Sequence, residues 1–412
     1  MYVIIGNSAA AIGAVEGIRQ MDESSQIVIV SDEPHHTYSR PLISYLLLGK
    51  TNEQLMKYRP DTFYENNNVT LLAPHRVTAI DPTEKTISLS SESKINYDKL
   101  LVAAGSSPFV PPMTGLDTVE KKFSFMSLDD ARALERAVDD QSRVLIIGAG
   151  LIGLKCAEGI LGRVRSVAVV DLTDRILSSI LDEKGAAIVR RHLESKGVSF
   201  KLGTSVDNFE VNRAALKNGE HVEFDALVLA VGVKPNTGLV KALEKDKPLV
   251  NRGIITDTKM RTGINDIFAA GDCAESFDIS LEANRVLAVL PNAYMQGETA
   301  GINMAGGNAE FNKAMPLNAI GFFGCHVLTA GSYVGDKIER SEGETYRLFF
   351  AQDNLLKGFM LINSPNRAGI YTSLIREKTP LDNIAQMIFD DPSLAAFSRA
   401  ERKSMLGVVR YA

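Results

Sequence analysis

The sequence predicts an α/β fold in which one strand–helix–strand unit occurs twice. Two short apolar runs, at 2–5 and 143–147, each lead into a turn of small residues and then into a helical pattern. Continuous apolar runs of this kind are typical of buried parallel strands. A further apolar strand that ends in small residues also occurs once in each half, at 97–105 and 224–232. Two repeated units are the simplest interpretation.

The first unit has the order of a dinucleotide-binding site. After the strand come the small residues Gly6, Ser8, Ala9 and Ala10. A helical pattern then runs to about residue 20, and a second apolar run ends before the acidic pair Asp32 and Glu33. Such a turn lets backbone N–H groups approach a pyrophosphate at the helix N-terminus, and the acid accepts hydrogen bonds from a ribose.

The second unit carries the complete G-x-G-x-x-G pattern of a Rossmann-like site. Its candidate contacts with a nucleotide are Gly148, Gly150, Leu151, Ile152 and Gly153. Asp171 lies 171 − 148 = 23 residues past the first glycine, close to the spacing of about 20 that such sites use. A carboxylate there bonds a ribose 2′-OH and repels a 2′-phosphate, which favours NADH over NADPH. Arg175 is a residue type that sometimes binds that phosphate.

Three later segments complete the predicted nucleotide sites. The repeated strand ends in Ala103, Ala104 and Gly105 in the first unit and reaches Gly232 in the second. Another apolar strand ends in Gly271-Asp272, where glycine admits a close backbone approach and the carboxylate is able to bind a hydroxyl group. Alternatively, this aspartate only caps a helix. Asn292 lies in a helix predicted to cover the same ligand.

The charge and the apolar runs of the chain argue against a nucleic-acid-binding protein and against a membrane protein. The chain has 412 residues, and 45 Lys plus Arg against 50 Asp plus Glu give a net charge of −5. With no sustained basic run, nucleic acid and anionic membrane are not expected partners. No apolar run approaches the ~18 residues of a membrane span, and the first strand starts at Tyr2, where a targeting peptide would lie. A soluble, cytoplasmic protein is expected.

Cysteine and histidine patterns indicate neither a redox dithiol nor a metal site. Cys156, Cys273 and Cys325 lie far apart and form no Cys-x-x-Cys or zinc spacing. The adjacent pair His35 and His36 has no carboxylate at metal-ligand spacing.

These motifs together resemble the pyridine nucleotide-disulfide oxidoreductase superfamily, especially NADH:rubredoxin oxidoreductases and the FAD-dependent part of nitrite reductases. The resemblance covers nearly the whole chain and includes Tyr38–Pro41 and Gly232–Asn236. It implies two Rossmann-like domains, an FAD domain at 1–112 and 246–310 and an inserted NAD(P)H domain at 113–245. It also implies a C-terminal α+β interface domain at 311–412 that could form a homodimer. It also implies FAD contacts from Arg40, Pro41, Val77 and Phe322, although core packing is the alternative for Phe322.

Departures from the family pattern restrict the chemistry. Relatives that reduce disulfides or peroxide carry a cysteine after the first unit, whereas residues 41–49 contain none. Many relatives pair a lysine and a glutamate beside the nicotinamide, at positions that hold Tyr45 and Lys155 here. We hypothesise that Lys155 replaces that pair and supplies a positive charge at the flavin–nicotinamide junction. The alternative is that Lys155 faces solvent.

The sequence therefore predicts an FAD-dependent oxidoreductase that passes a hydride from NADH to FAD and electrons to a small iron–sulfur carrier of rubredoxin or ferredoxin type. An NADH oxidase that reduces oxygen directly, and a flavoprotein redox sensor, are the alternatives. A C-terminal basic group could dock an acidic carrier or form an ordinary solvated helix end; its members are Arg399, Arg402, Lys403 and Arg410.

Overall fold

The computed structural model describes residues 1–243, 247–390 and 393, which fall into two compact units. The first unit comprises Met1–Asp174, Gly197–Asp278 and Ala283–Ala314. The second comprises Arg175–Lys196, Ile279–Glu282 and the described residues from Met315 onward.

The first unit begins with a five-stranded parallel sheet in the order β19-β7-β1-β2-β3. Its strands are β1 (Tyr2–Ile5), β2 (Ile27–Val30), β3 (Val69–Leu72), β7 (Lys99–Val102) and β19 (Ile267–Ala269). The central strands are almost fully buried, as their uninterrupted apolar sequences require in a sheet covered on both faces. Helices α1 (Ala9–Arg19) and α9 (Leu290–Met304) cover one face.

A second parallel sheet in the same unit repeats this arrangement, in the order β12-β11-β10-β16-β9. Its strands are β9 (Lys122–Phe123), β10 (Arg143–Ile147), β11 (Ser166–Asp171), β12 (Val198–Leu202) and β16 (Ala226–Leu229). β10 is flanked by β11 and β16 as β1 is flanked by β2 and β7. Helices α5 (Leu128–Ala137) and α6 (Leu151–Ile160) belong to this half, so the repeat predicted from the sequence is present.

Smaller elements follow the same duplication. Each half has a three-stranded antiparallel insert, formed by β4 (Val77–Asp81), β5 (Thr86–Leu89) and β6 (Lys94–Asn96), and by β13 (Val206–Glu210), β14 (Arg213–Leu216) and β15 (His221–Glu223). A two-stranded ribbon of β8 (Ser106–Pro108) and β17 (Val233–Pro235) joins the halves. The remaining strands of the unit are β18 (Ile254–Ile255), β20 (Ala274–Asp278) and β21 (Ala283–Arg285).

Short helices connect these strands. They are α2 (Ile43–Leu47), α3 (Glu53–Met56), α4 (Phe63–Asn66) and α8 (Gly238–Lys241), with 3₁₀ turns at Arg40–Leu42, Leu116–Thr118 and Leu161–Arg163. A further 3₁₀ turn, Asp382–Ile384, belongs to the second unit.

Helices α1 and α9 pack with their backbones in direct contact. A Cβ on Gly13 would lie 2.2 Å from the Tyr294 carbonyl oxygen, and one on Gly297 would lie 1.9 Å from the Ala10 carbonyl oxygen. Glycine is therefore required at these crossings for steric reasons. Ala10 faces Gly297 and Ala14 faces Gly301, so the two helices run in the same direction and their N-termini lie at the same end.

The second unit is built on a five-stranded antiparallel sheet in the order β22-β23-β26-β25-β24. Its strands are β22 (Leu317–Phe322), β23 (Cys325–Gly331), β24 (Asp336–Glu342), β25 (Thr345–Gln352) and β26 (Leu355–Ile362), and its helices are α7 (Glu183–Ser195), α10 (Ala368–Arg376) and α11 (Ala385–Asp390). The α7 N-cap Asp182 accepts a hydrogen bond from the Tyr346 hydroxyl at 2.6 Å. In the described part of the chain, no helix is both long and apolar enough to cross a membrane.

Candidate functional site

The first glycine turn leaves the backbone of α1 open to a ligand. Gly6 has φ = +106°, and a Cβ on it would lie 2.2 Å from the Ala103 carbonyl oxygen. α1 then begins at Ala9 with no side-chain cap from Ser8 and no acidic residue in its first turn. The free N–H groups of a helix N-terminus attract anions. The predicted residues at this turn thus form a cradle that fits a phosphate group.

Gly271 and Asp272 lie against this turn. Gly271 has φ = +80°, and a Cβ on it would approach the Ala10 side chain to 3.2 Å. Its N–H donates to the Oε1 atom of the buried Gln296 at 2.7 Å. Asp272 accepts a hydrogen bond from the Ser106 hydroxyl at 2.9 Å, and burial raises the pKa of its carboxyl group. Asp272 lies at the end of a buried strand, which fits an acceptor for ligand hydroxyls.

Arg40 is held in a polar cluster beside Asp272. It forms an ion pair with Glu33, and its guanidinium lies over the Tyr38 ring, 5.3 Å from the centroid. The Tyr38 hydroxyl donates to Glu33 at 2.7 Å and accepts from the Leu128 N–H at 2.9 Å. Burial raises the pKa of Tyr38. This cluster connects the segment before α2 with the start of α5, and Pro41 follows it in a 3₁₀ turn.

Other predicted FAD contacts are more dispersed. Asp32 forms an ion pair with Arg76 at 3.1 Å and its side chain is 57% exposed. Val77 begins β4 and packs in a hydrophobic cluster. Asn292 is buried in the first turn of α9. Phe322 lies in the second unit and is fully buried, and its contact with FAD stays a prediction.

The second glycine turn repeats the geometry of the first. Gly148 has φ = +112°, and a Cβ on it would lie 2.3 Å from the Ala230 carbonyl oxygen, as a Cβ on Gly6 would lie against Ala103. Gly153 packs on the Gly148 carbonyl oxygen, where a Cβ would approach to 2.0 Å, while Gly150 has open space around it. Leu151 and Ile152 form the first turn of α6.

Asp171 closes this second turn. One carboxylate oxygen accepts from the Ala149 N–H at 2.6 Å, and the other accepts from the N–H and hydroxyl of Thr173 at 2.8 and 2.6 Å. The carboxylate is therefore held at the glycine turn, where a ribose would lie beside a pyrophosphate. Gly232 follows β16 with φ = +124° and open space around it.

The two halves join through backbone and side-chain hydrogen bonds at the strand ends. Asn236 donates from its side chain to the Ala104 carbonyl at 2.8 Å and from its backbone to the Gly105 carbonyl at 2.9 Å. The Ser107 hydroxyl donates to the Asn236 side chain at 2.7 Å.

Tyr45 and Lys155 lie together where α2 meets α6. The Lys155 Nζ atom is 4.4 Å from the centroid of the Tyr45 ring, and it forms an ion pair with Glu158. The Lys155 side chain is only 16% exposed, so it does not simply face solvent. Sequence reasoning did not identify Glu158, although its spacing of three residues from Lys155 on one helix was a signal for an ion pair.

The three thiols are buried and their chemistry is suppressed. Burial raises the pKa of Cys273 and of Cys325 to about 11 and that of Cys156 still further. Since the thiolate is the nucleophile, we expect Ellman's reagent at pH 8 to find no fast-reacting thiol in the native protein and three after denaturation. A thiol that reacts on mixing in the native state would contradict the burial of these side chains.

The two glycine turns define a class of protein, one with two dinucleotide-binding halves. The sequence profile of the pyridine nucleotide-disulphide oxidoreductase family matches residues 1–297, and the chain belongs to this family.

Individual relatives cover most of the chain. The epsilon subunit of NADH-dependent phenylglyoxylate dehydrogenase from Aromatoleum evansii is 30% identical over 404 residues, which is 95% of each chain. A rubredoxin-NAD(+) reductase from Alcanivorax borkumensis is 30% identical and covers 87% of this chain and 94% of its own length. The fold is similar to that in the crystal structure of the covalent putidaredoxin reductase–putidaredoxin complex, with a TM-score of 0.87, 22% identity and coverage of 98% and 97%.

These findings confirm the family, the α/β fold class and the assignment as an oxidoreductase that the sequence predicted. The family uses FAD and NADH, the two cofactors that the sequence predicted for this protein.

Proposed function

We propose that this protein is an FAD-dependent NADH:acceptor oxidoreductase that delivers electrons to a small iron–sulfur carrier of rubredoxin or ferredoxin type. The main support is the pair of glycine turns with the same geometry in one compact unit, at Gly6 and Gly148. One turn is suited to FAD and the other to its hydride donor.

The protein residues would hold and orient the two nucleotides. When bound, FAD supplies the chemistry: it takes a hydride, two electrons and a proton, from NADH and passes the electrons on singly. The α1 N-terminus would bind the FAD pyrophosphate, and Asp272 and Arg40 its polar chain. The α6 N-terminus would bind the pyrophosphate of NADH, and Asp171 its ribose. Hydride transfer depends on proximity and alignment, so no general base is required.

Two observations support an external one-electron acceptor. Residues 41–49 contain no cysteine, and Cys273, which follows Asp272, is buried with a raised pKa, so a thiol that relays electrons is absent from both segments. A relative of similar length is named a rubredoxin-NAD(+) reductase. The basic residues Arg399, Arg402, Lys403 and Arg410, predicted to dock an acidic carrier, lie outside the described residues.

A second candidate is the same electron transfer within a larger enzyme. The chain matches the epsilon subunit of an NADH-dependent dehydrogenase over 95% of both lengths. In that case the acceptor or donor would be an iron–sulfur group of a partner subunit. A homodimer through the C-terminal region and a cytoplasmic location stay predictions.

Anaerobic stopped-flow mixing tests the proposal. Purified protein should be yellow, and NADH should bleach its flavin absorbance faster than NADPH does, because Asp171 repels a 2′-phosphate. Adding rubredoxin or ferredoxin should then restore the colour faster than air does. A colourless protein that takes up no FAD would disprove the proposal, and faster reoxidation by air would favour an oxidase. Slow or absent bleaching would favour a redox sensor.

A further inference from the structure

A buried ion pair lies on the face of α6 that packs against α2. The side chains of Lys155 and Glu158 are only 16% and 4% exposed. The helices approach closely at this point, since a Cβ on Gly159 would lie 3.1 Å from the Ser44 carbonyl oxygen. Just after α6, the Arg163 side chain donates to the Leu47 carbonyl at 2.5 Å. The ion pair is therefore part of a tight interhelical contact.

Packing alone gives no reason for these charges. The neighbouring residues Leu154, Cys156 and Ala157 are fully buried and apolar or weakly polar. Replacing a buried ion pair by apolar side chains of similar size is often neutral or stabilising, because burying two charges costs as much as their attraction returns. Buried charges at a defined place are accordingly candidates for a functional role.

The position of the pair connects the two proposed nucleotide sites. α6 begins at the glycine turn of Gly148–Gly153, and Lys155 follows that turn by two residues. α2 begins directly after the 3₁₀ turn that contains Arg40. The Lys155 ammonium lies against the Tyr45 ring of α2, so its location is fixed from both helices.

We propose that the opposite charges of Lys155 and Glu158, at the contact of α6 with Tyr45 of α2, together set the reduction potential of the bound FAD. This inference rests on the proposed function. A positive charge near a redox centre stabilises the reduced, more negative form and raises the potential, whereas a negative charge lowers it. Lys155 and Glu158 thus act on the flavin with opposite signs.

The test is an equilibrium redox titration of FAD-loaded variants. Removing the negative charge in Glu158→Gln should raise the midpoint potential, and removing the positive charge in Lys155→Met should lower it. We expect shifts of about 30 mV, a roughly tenfold change in a two-electron equilibrium. The double variant K155M/E158Q removes both charges, so its potential should return toward that of the wild type.

The C-terminal unit provides a matched control. Lys184 lies over the Tyr346 ring, 5.4 Å from the centroid, and pairs with Glu339, but its side chain is 53% exposed. Lys184→Met should leave the flavin potential unchanged, since solvent screens exposed charges.

The outcomes separate this inference from the proposed function. Wild-type potentials in both single variants, or shifts of the same sign, would show that the pair only joins the helices and would overturn the inference. If a single variant fails to fold, the double variant decides: a folded double variant with a potential far from that of the wild type contradicts cancelling charges. Failure of the wild-type protein to bind FAD or to react with NADH would instead reject the proposed function.

Discussion

Gly148→Ala is expected to need a much higher concentration of NADH for flavin reduction while it keeps its FAD. The added Cβ would lie 2.3 Å from the Ala230 carbonyl oxygen, in a residue whose φ is +112°. Backbone strain of this kind costs about 1–3 kcal/mol, and the contact with a backbone oxygen adds to it. The variant turn would relieve this strain by moving out of the geometry that binds NADH. Restoring that geometry on binding would cost about 3 kcal/mol, which corresponds to a roughly 100-fold weaker apparent affinity for NADH. The measurement is the NADH concentration dependence of flavin bleaching under anaerobic conditions.

Gly150→Ala is the matched control in the same turn. Gly150 has an ordinary φ of −81° and no atom within 4 Å of a Cβ at its position. This variant should therefore fold like the wild type, and any loss of NADH affinity would reflect only close approach of the nucleotide. Equal affinities of Gly148→Ala and the wild type would contradict the steric argument.

Gly297→Ala is expected to lower thermal stability and FAD retention together. A Cβ at this position would lie 1.9 Å from the Ala10 carbonyl oxygen, so α1 and α9 would have to separate. Overpacking costs about 1–3 kcal/mol, and each kcal/mol lowers the melting temperature of a domain of 150–250 residues by about 2–4 °C. Because α1 begins at the first glycine turn, separation should also weaken FAD binding. Thermal unfolding and the FAD-to-protein ratio measure both effects.

Gly369→Ala, in α10 of the second unit, is the control for helix propensity. No atom lies within 4 Å of a Cβ at this position, so alanine should leave stability unchanged or raise it slightly. An unchanged melting temperature in Gly297→Ala would contradict the close helix contact.

The repeated units were predictable because their signals are local. The strand, the turn from Gly6 or Gly148 and the following helix are consecutive in sequence, and the structure places β1, α1, β10 and α6 in those segments. The end of the first helix also agrees closely, since it was predicted at about residue 20 and α1 ends at Arg19. The apolar runs indicated buried strands, and both sheets are parallel.

Contacts between distant segments were not predictable from patterns. The Gly271 N–H donates a hydrogen bond to Gln296, and the Ser106 hydroxyl donates one to Asp272. In neither pair do the two residues belong to one sequence motif. Glu158 was missed because a carboxylate on a helix usually faces solvent, whereas here its side chain is only 4% exposed.

The division into domains also depends on packing. The sequence boundaries assign residues 113–245 to one nucleotide domain, and this stays a prediction about ligands. The two compact units are defined by contacts between residues and not by ligand-binding motifs. By that criterion α7 belongs with the C-terminal sheet, since Gly185 packs against Ile362 and Tyr346. Nothing in the α7 sequence specifies which sheet covers it.

The contact of α1 with α9 also determines when the protein can fold during synthesis. Ala10 and its partner Gly297 are 297 − 10 = 287 residues apart. At about 5–20 residues per second, a ribosome needs roughly 15–60 s to make that interval. For that time the alanine- and glycine-rich face of α1 has no helix to cover it. The nascent first half therefore cannot complete its packing until the last strand and the last helix of its sheet, β19 and α9, have been synthesised.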